Sequence, residues 1–147
     1  MVDQIDEQLI RLLMQDARRS SKAFAEQLKI SPAAVRRRIN RLIEEDVVRI
    51  IGFPDPAKMG FPLRVIISLN VLREKTNHVI EELNKRPEII FLAPTSGRYD
   101  IVAIGWFSST STLYEFMDTV IGKVDGVTST ETFICLQQAK TMRDGLC

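Results

Sequence analysis

The sequence predicts an α+β fold in two parts: three helices and a short strand, then the order β-α-β-β-α-β. Three observations carry that reading. Apolar residues repeat at helical spacing up to residue 45 and at alternate spacing from residue 64, the periods of a helix stripe and of a half-buried strand. Between the two patterns, "GFPDPAKMGFP" (52–62) places three prolines and two glycines in eleven residues, the most obvious domain boundary in the chain. Charge is also uneven: the chain is +1 overall, yet residues 17–41 carry eight basic side chains against Glu26 alone, a net +7.

Each element has a local cause. Asp3 suits the N-cap of the first helix, and Asp6 and Glu7 favour its positive end. Ile5, Leu9, Leu12 and Leu13 supply its apolar stripe, which fades after Met14 and Asp16. Ser20 or Ser21 starts a second helix with Phe24, Ala25 and Leu28 on its inner face. After the tight connection "KIS", Ser31 caps a third helix, Pro32 occupies its first position, and the helix should run to about Glu45. "VVRIIGF" has the β-branched composition of a short strand or wing.

Beyond the boundary, "RVIISLNVL" alternates Val65, Ile67, Leu69 and Val71 against Ile66, Ser68, Asn70 and Leu72. "NHVIEELNK" reads as helix, "EIIFLAPT" as strand, "SGRY" as a turn and "DIVAIGWF" as strand. "STLYEFMDTVIGKV" reads as a helix with Leu113, Phe116, Met117, Val120 and Ile121 on one side, and "VTSTETFICLQ" as a final strand. The expected architecture is an N-terminal winged helix-turn-helix domain over residues 1–53, a linker over 54–63, and a ferredoxin-like βαββαβ domain over 64–147. Two helices cover one face of the sheet; the other keeps apolar side chains and should pack against a second subunit.

Several function classes are disfavoured. No run approaches the roughly 20 apolar residues of a membrane span, and "MVDQIDEQLIRLL" carries acids where a signal peptide carries lysine or arginine, so a cytoplasmic protein is expected. Cys135, in the apolar run "TFICL", is expected to be a buried small hydrophobe, and Cys147 to sit on a tail; neither has a histidine nearby to activate it. His78 starts a surface helix, Trp106 and Phe107 end a strand as core or subunit contacts, and Glu81 and Glu82 are adjacent and do not share a helix face. There is no P-loop, dinucleotide fingerprint, metal-spaced cluster or nucleophile elbow, so neither catalytic residues, a metal nor a cofactor is expected.

The basic region points elsewhere. With Val35 at zero and about 100° per residue, Ile39 and Leu42 join it in a buried stripe, while Ala33, Arg37, Asn40 and Arg41 share the opposite face. Ser31, Ala33 and Ala34 make the start of this helix small enough for close approach to a major groove. Arg37 and Arg41 can contact guanine edges or phosphates, and Asn40 can read an adenine edge. Arg36, Arg38, Arg18, Arg19 and Lys22 are better placed for the phosphate backbone of double-stranded DNA.

From residue 2 to about residue 140 the chain resembles the Lrp/AsnC (feast/famine) family of bacterial and archaeal transcriptional regulators. "DQIDEQLIRLLMQDARRS" resembles the family's opening helix, "SPAAVRRRINRLIEEDVVRIIGF" its recognition helix and wing, "DPAKMG" its linker, and "TSGRYDIV" the loop between the second and third strands of its ligand-binding half. The resemblance implies a sequence-specific DNA-binding regulator that forms a homodimer and often tetramers or octamers. It implies a small effector, commonly an amino acid, bound between neighbouring ligand-binding halves and acting through assembly. Carried onto this chain, the effector loop is Thr95, Ser96, Gly97, Arg98, Tyr99 and Asp100. Asp100 could take an ammonium or simply cap a tight turn. Arg98 stands where the family frequently has an acid, which favours either a ligand with extra negative charge or a pairing with a neighbouring subunit. The same two-part architecture resembles siroheme decarboxylases, though a single histidine leaves little to serve a tetrapyrrole; a small-molecule sensor with a vestigial DNA-binding half is a third reading.

Overall fold

The computed structural model describes residues 1–137, which divide into two compact units, 1–53 and Pro54–Gln137. The first contains helices α1 (Gln4–Asp16), α2 (Ser21–Leu28) and α3 (Pro32–Glu44). Each begins on a side-chain cap. The Asp3 carboxylate accepts from Asp6 N at 2.8 Å while Asp3 N donates back to Asp6 at 3.0 Å, a reciprocal pair that satisfies two backbone donors. Ser20 and Ser31 accept from Ala23 N and Ala34 N at 3.2 and 3.1 Å. The turn between α2 and α3 is made by Lys29 in the left-handed region (φ 55°), an uncommon place for a residue with a Cβ. That geometry lets Ile30 N reach Ala25 O at 3.2 Å and closes α2 within a single turn. Leu9, Leu13, Phe24, Ala25, Leu28, Val35 and Leu42 form the core, with Ile39 packed at its margin.

Residues 47–53, expected as a strand or wing, form no strand. Val47 N and Val48 N both donate to Leu42 O and finish the α3 turn instead, while Ile50 and Ile51 stay exposed. β-Branched composition permits a strand but does not make one. A strand needs a second backbone to accept its ladder, and among the described residues of this unit there is none.

The second unit begins with a compact turn over residues 56–60, where Gly60 adopts φ 90° and Phe61 N donates to Pro56 O at 2.8 Å. It continues as β1 (Leu63–Val71), α4 (Thr76–Asn84), β2 (Ile89–Pro94), β3 (Ile101–Phe107), α5 (Thr110–Thr119) and β4 (Val127–Ile134). The sheet order is β2-β3-β1-β4 with every neighbouring pair antiparallel, the βαββαβ arrangement of a ferredoxin-like fold. Val65, Ile67, Leu69 and Val71 of β1 face a core completed by Val79 and Leu83 of α4 and Leu113 and Phe116 of α5. The pleat therefore turns Ile66 to the uncovered face. There the register aligns Phe91, Ile104, Ile66 and Phe133 in one row across all four strands.

Two element ends depart from expectation. Helix α5 stops at Thr119, and residues 121–123 tighten into a 3₁₀ turn where Gly122 weakens a continued helix. Strand β4 ends at Ile134, so Cys135 lies beyond it and is only half-buried, not a core residue. Cys147 lies outside the described residues.

Candidate nucleic-acid interface and effector loop

Helix α3 sorts its cations by direction. Arg36, Arg37 and Asn40 are exposed, as are Ser31 and Ala33, and Ala34 is half-buried at the first turn. On the preceding elements Lys22 is exposed; Arg18 is exposed and bonded through Nε to Asp16 at 3.2 Å. Arg19 is half-buried, with its guanidinium 5.5 Å over the Phe24 ring and a 3.4 Å contact to Gln27.

Arg38 and Arg41 face the other way. The Arg38 Nη1 donates to Asp3 Oδ2 and Asp6 Oδ1, both at 2.7 Å, and Arg41 Nη2 donates to Asp6 Oδ2. Helical spacing assigned Arg41 to the outward face, but its long side chain turns back to α1 and is 39% exposed; Arg38 is 22% exposed. Asp6 itself is fully buried. Burial pushes its carboxyl up, but the Asp3 N–H and the two guanidinium groups outweigh that and hold it at about 2, ionised throughout the ordinary pH range. The same bonds to Asp3 and Asp6 push the Arg38 guanidinium up. A signal for this was present in the sequence: Asp6, Leu9 and Leu13 share an i, i+3, i+7 stripe, so an acid falls on a core face and requires a buried partner.

In the second unit residues 95–100 form a tight connection between β2 and β3. Gly97 has φ 146°, and a Cβ there would meet nothing within 4 Å, so conformation rather than space calls for glycine. Thr95 Oγ1 donates to Tyr99 O at 2.6 Å, and Thr95 N donates to Asp100 O at 2.9 Å. Asp100 is tied to β1, because its N donates to Leu69 O at 3.0 Å and its Oδ2 accepts from Val71 N at 2.9 Å. One carboxylate oxygen is thus engaged by the backbone across the sheet, not by the loop's own turn. Ser96 and Arg98 are exposed, and the Arg98 guanidinium lies 5.4 Å over the Tyr99 ring. A cleft of about 360 Å³ in this unit is walled by Phe61, Glu88, Trp106, Phe107 and Phe116, not by this loop.

A basic three-helix unit presenting α3, followed by an antiparallel βαββαβ unit with an exposed loop at its β2–β3 end, is the two-part architecture expected of a DNA-binding regulator with a separate ligand-binding half. Comparison with known proteins makes this specific. An AsnC-type helix-turn-helix domain matches residues 2–43, and an Lrp/AsnC ligand binding domain matches residues 64–144. LrpA of Pyrococcus horikoshii is 32% identical over 143 residues, covering 95% of this chain and 100% of its own, and an HTH-type regulator of Pyrococcus abyssi is 34% identical over 134 residues, covering 90% and 85%. In fold, Escherichia coli AsnC superposes with a TM-score of 0.89 over 96% of each chain at 22% identity. A Neisseria meningitidis transcriptional regulator in complex with L-Met gives 0.89 over 96% of this chain and 94% of its own at 17% identity. The chain belongs to the Lrp/AsnC family of transcriptional regulators. It is a DNA-binding regulator with an effector-binding half, in a family of regulators rather than enzymes, and none of these matches supports the decarboxylase alternative.

Proposed function

We propose that the protein reads double-stranded DNA through the exposed face of α3 and is modulated by a small effector at the β2–β3 loop. The observation that carries the first part is the exposure of Arg36, Arg37 and Asn40 together, beside a helix start of Ser31 and Ala33. Arg37 and Asn40 are suited to base edges, and Arg36, Arg18, Arg19 and Lys22 to phosphates. Arg18 and Arg19 already hold partners, which makes Lys22 and Arg36 the freer phosphate ligands.

For the second part, Asp100 keeps Oδ1 for an ammonium while Oδ2 holds β1, and loop N–H groups suit a carboxylate. The L-Met complex of the Neisseria relative supports an amino acid as the ligand class. Among the described residues no acid pairs with Arg98, which favours an effector bearing a second anionic group. The row Phe91, Ile104, Ile66 and Phe133 supports a homodimer joined sheet to sheet; further assembly to tetramers or octamers is what the family resemblance implies, with the effector shifting that assembly and so the spacing of paired α3 helices on DNA.

The test is selection of genomic DNA fragments by the purified protein, with and without amino acids, beside Arg37→Ala. A reproducible set of fragments, weakened or lost with Arg37→Ala and altered by one amino acid, is the expected result. Equal retention of all fragments by both proteins would contradict it.

A further inference from the structure

The exposed arginines explain affinity for DNA, but not why a chain with so many cations beside its recognition helix would discriminate between sequences. Phosphate contacts are blind to sequence, and every additional one raises specific and non-specific binding together. Two of the four arginines on α3 are withheld from the solvent-facing set, both by one side chain from another helix.

Asp6 is fully buried and its carboxylate receives three donors: Arg38 Nη1 on Oδ1, and Arg41 Nη2 and Asp3 N on Oδ2. The pairs span 32 and 35 residues, so they pin α3 to the start of α1. The two arginines are held unequally. Arg38 also bonds Asp3, whereas Asp6 is the acid bonded to Arg41, and the Arg41 Nε is buried without a hydrogen-bond partner. Arg41 therefore loses its ionic restraint when Asp6 is neutralised, and Arg38 keeps one.

The geometry points to Asp6 as a positioning residue for sequence discrimination: it holds α3 in register and keeps Arg41, and with Asp3 also Arg38, from adding sequence-blind phosphate contacts. The inference rests on the reading of α3 as the DNA-contacting helix. It assigns Arg41 to the scaffold and leaves Arg36, Arg37 and Asn40 as the contact set.

The consequence differs from that of an ordinary stabilising ion pair. Loss of a merely structural acid weakens binding to every duplex alike. Loss of a restraining acid strengthens binding to the wrong duplex. Each arginine that reaches a phosphate steepens the fall of log affinity with log salt by about 0.9.

The experiment measures binding of the full chain to its selected operator and to a scrambled duplex across a salt series. Asp6→Asn is expected to bind the scrambled duplex several-fold more tightly at low salt, with a slope steeper by about 0.9 on both duplexes, and to gain less on the operator, because α3 loses its tie to α1 and with it the register that base contacts need. Asp3→Asn/Asp6→Asn should steepen the slope by about 1.8, while asparagine retains the cap at residue 3. Adding Arg38→Gln and Arg41→Gln to Asp6→Asn removes both cations without stranding a buried carboxylate, and should return the slope to the wild-type value. That triple variant also decides the matter if Asp6→Asn alone fails to fold. A triple variant whose slope falls below wild type would show that Arg38 and Arg41 already contact phosphates, and would overturn the proposal. An Asp6→Asn protein weaker on both duplexes with an unchanged slope would overturn it as well. Failure of the underlying reading looks different: wild type would show no operator preference, or Arg37→Ala would leave it intact, whatever Asp6→Asn did.

Discussion

The two units solve opposite problems with charge. The helical unit places a buried carboxylate and two guanidinium groups along one side of its core, and α3 emerges with some arginines tied and others free. The sheet unit buries almost only apolar side chains; its ion pairs, such as Lys75–Asp125 at 2.8 Å, lie at the surface, and its uncovered face carries an apolar row across all four strands. In the first unit the informative residues are polar and are selected by what restrains them. In the second they are apolar and are recognised by the lack of anything covering them.

Asp6→Ala strips three donors of their shared acceptor and unties α3 from α1, and should destabilise the helical unit by about 3 kcal/mol in urea unfolding. A loss within experimental error would mean that the network is ornamental. Next in size, Phe91→Glu/Phe133→Glu sets charges on the uncovered row and should weaken the proposed homodimer in sedimentation, by at least roughly a hundredfold, without unfolding the sheet. An unchanged sedimentation profile would move the subunit contact elsewhere. Asp100→Ala, which frees Val71 N from its partner, should cost about 1–2 kcal/mol and weaken effector binding measured by calorimetry.

A further effect is with pH. Asp6 is depressed from 3.8 to about 2 in the folded chain, so its contribution to stability is complete above the unfolded value and is lost as pH falls through about 2. Between those values wild type should lose stability more steeply than Asp6→Asn, as followed by circular dichroism. Parallel curves would remove the network from the acid response.

The elements were legible where a local signal agreed with the period. Ser31–Pro32 fixed the start of α3, and the alternation from Val65 to Val71 fixed the buried face of β1. The strand expected at 47–53 was not recoverable, because β-branched residues announce a preference and the deciding hydrogen-bond partner is not local. The exposure of Ala33, Arg37 and Asn40 could be read from helical angles alone, whereas Arg41, placed on the same face by its angle, turns back to α1. The fate of Arg38 and Arg41 could not, since it depends on Asp3 and Asp6 more than thirty residues away, although the acid at Asp6 on a core stripe was visible as an unanswered charge. The bond from Val71 N to Asp100 was likewise hidden, being a contact across 29 residues.

Base reading by α3 is tested most directly by a cycle between protein and base. Operators carrying single base-pair changes would be titrated with wild type and Arg37→Ala. One guanine substitution should cost wild type about 1–3 kcal/mol and cost Arg37→Ala almost nothing, while changes elsewhere should cost both proteins alike. Uniform weakening of Arg37→Ala at every position, with no discrimination lost, would contradict the assignment of base reading to the exposed face of α3.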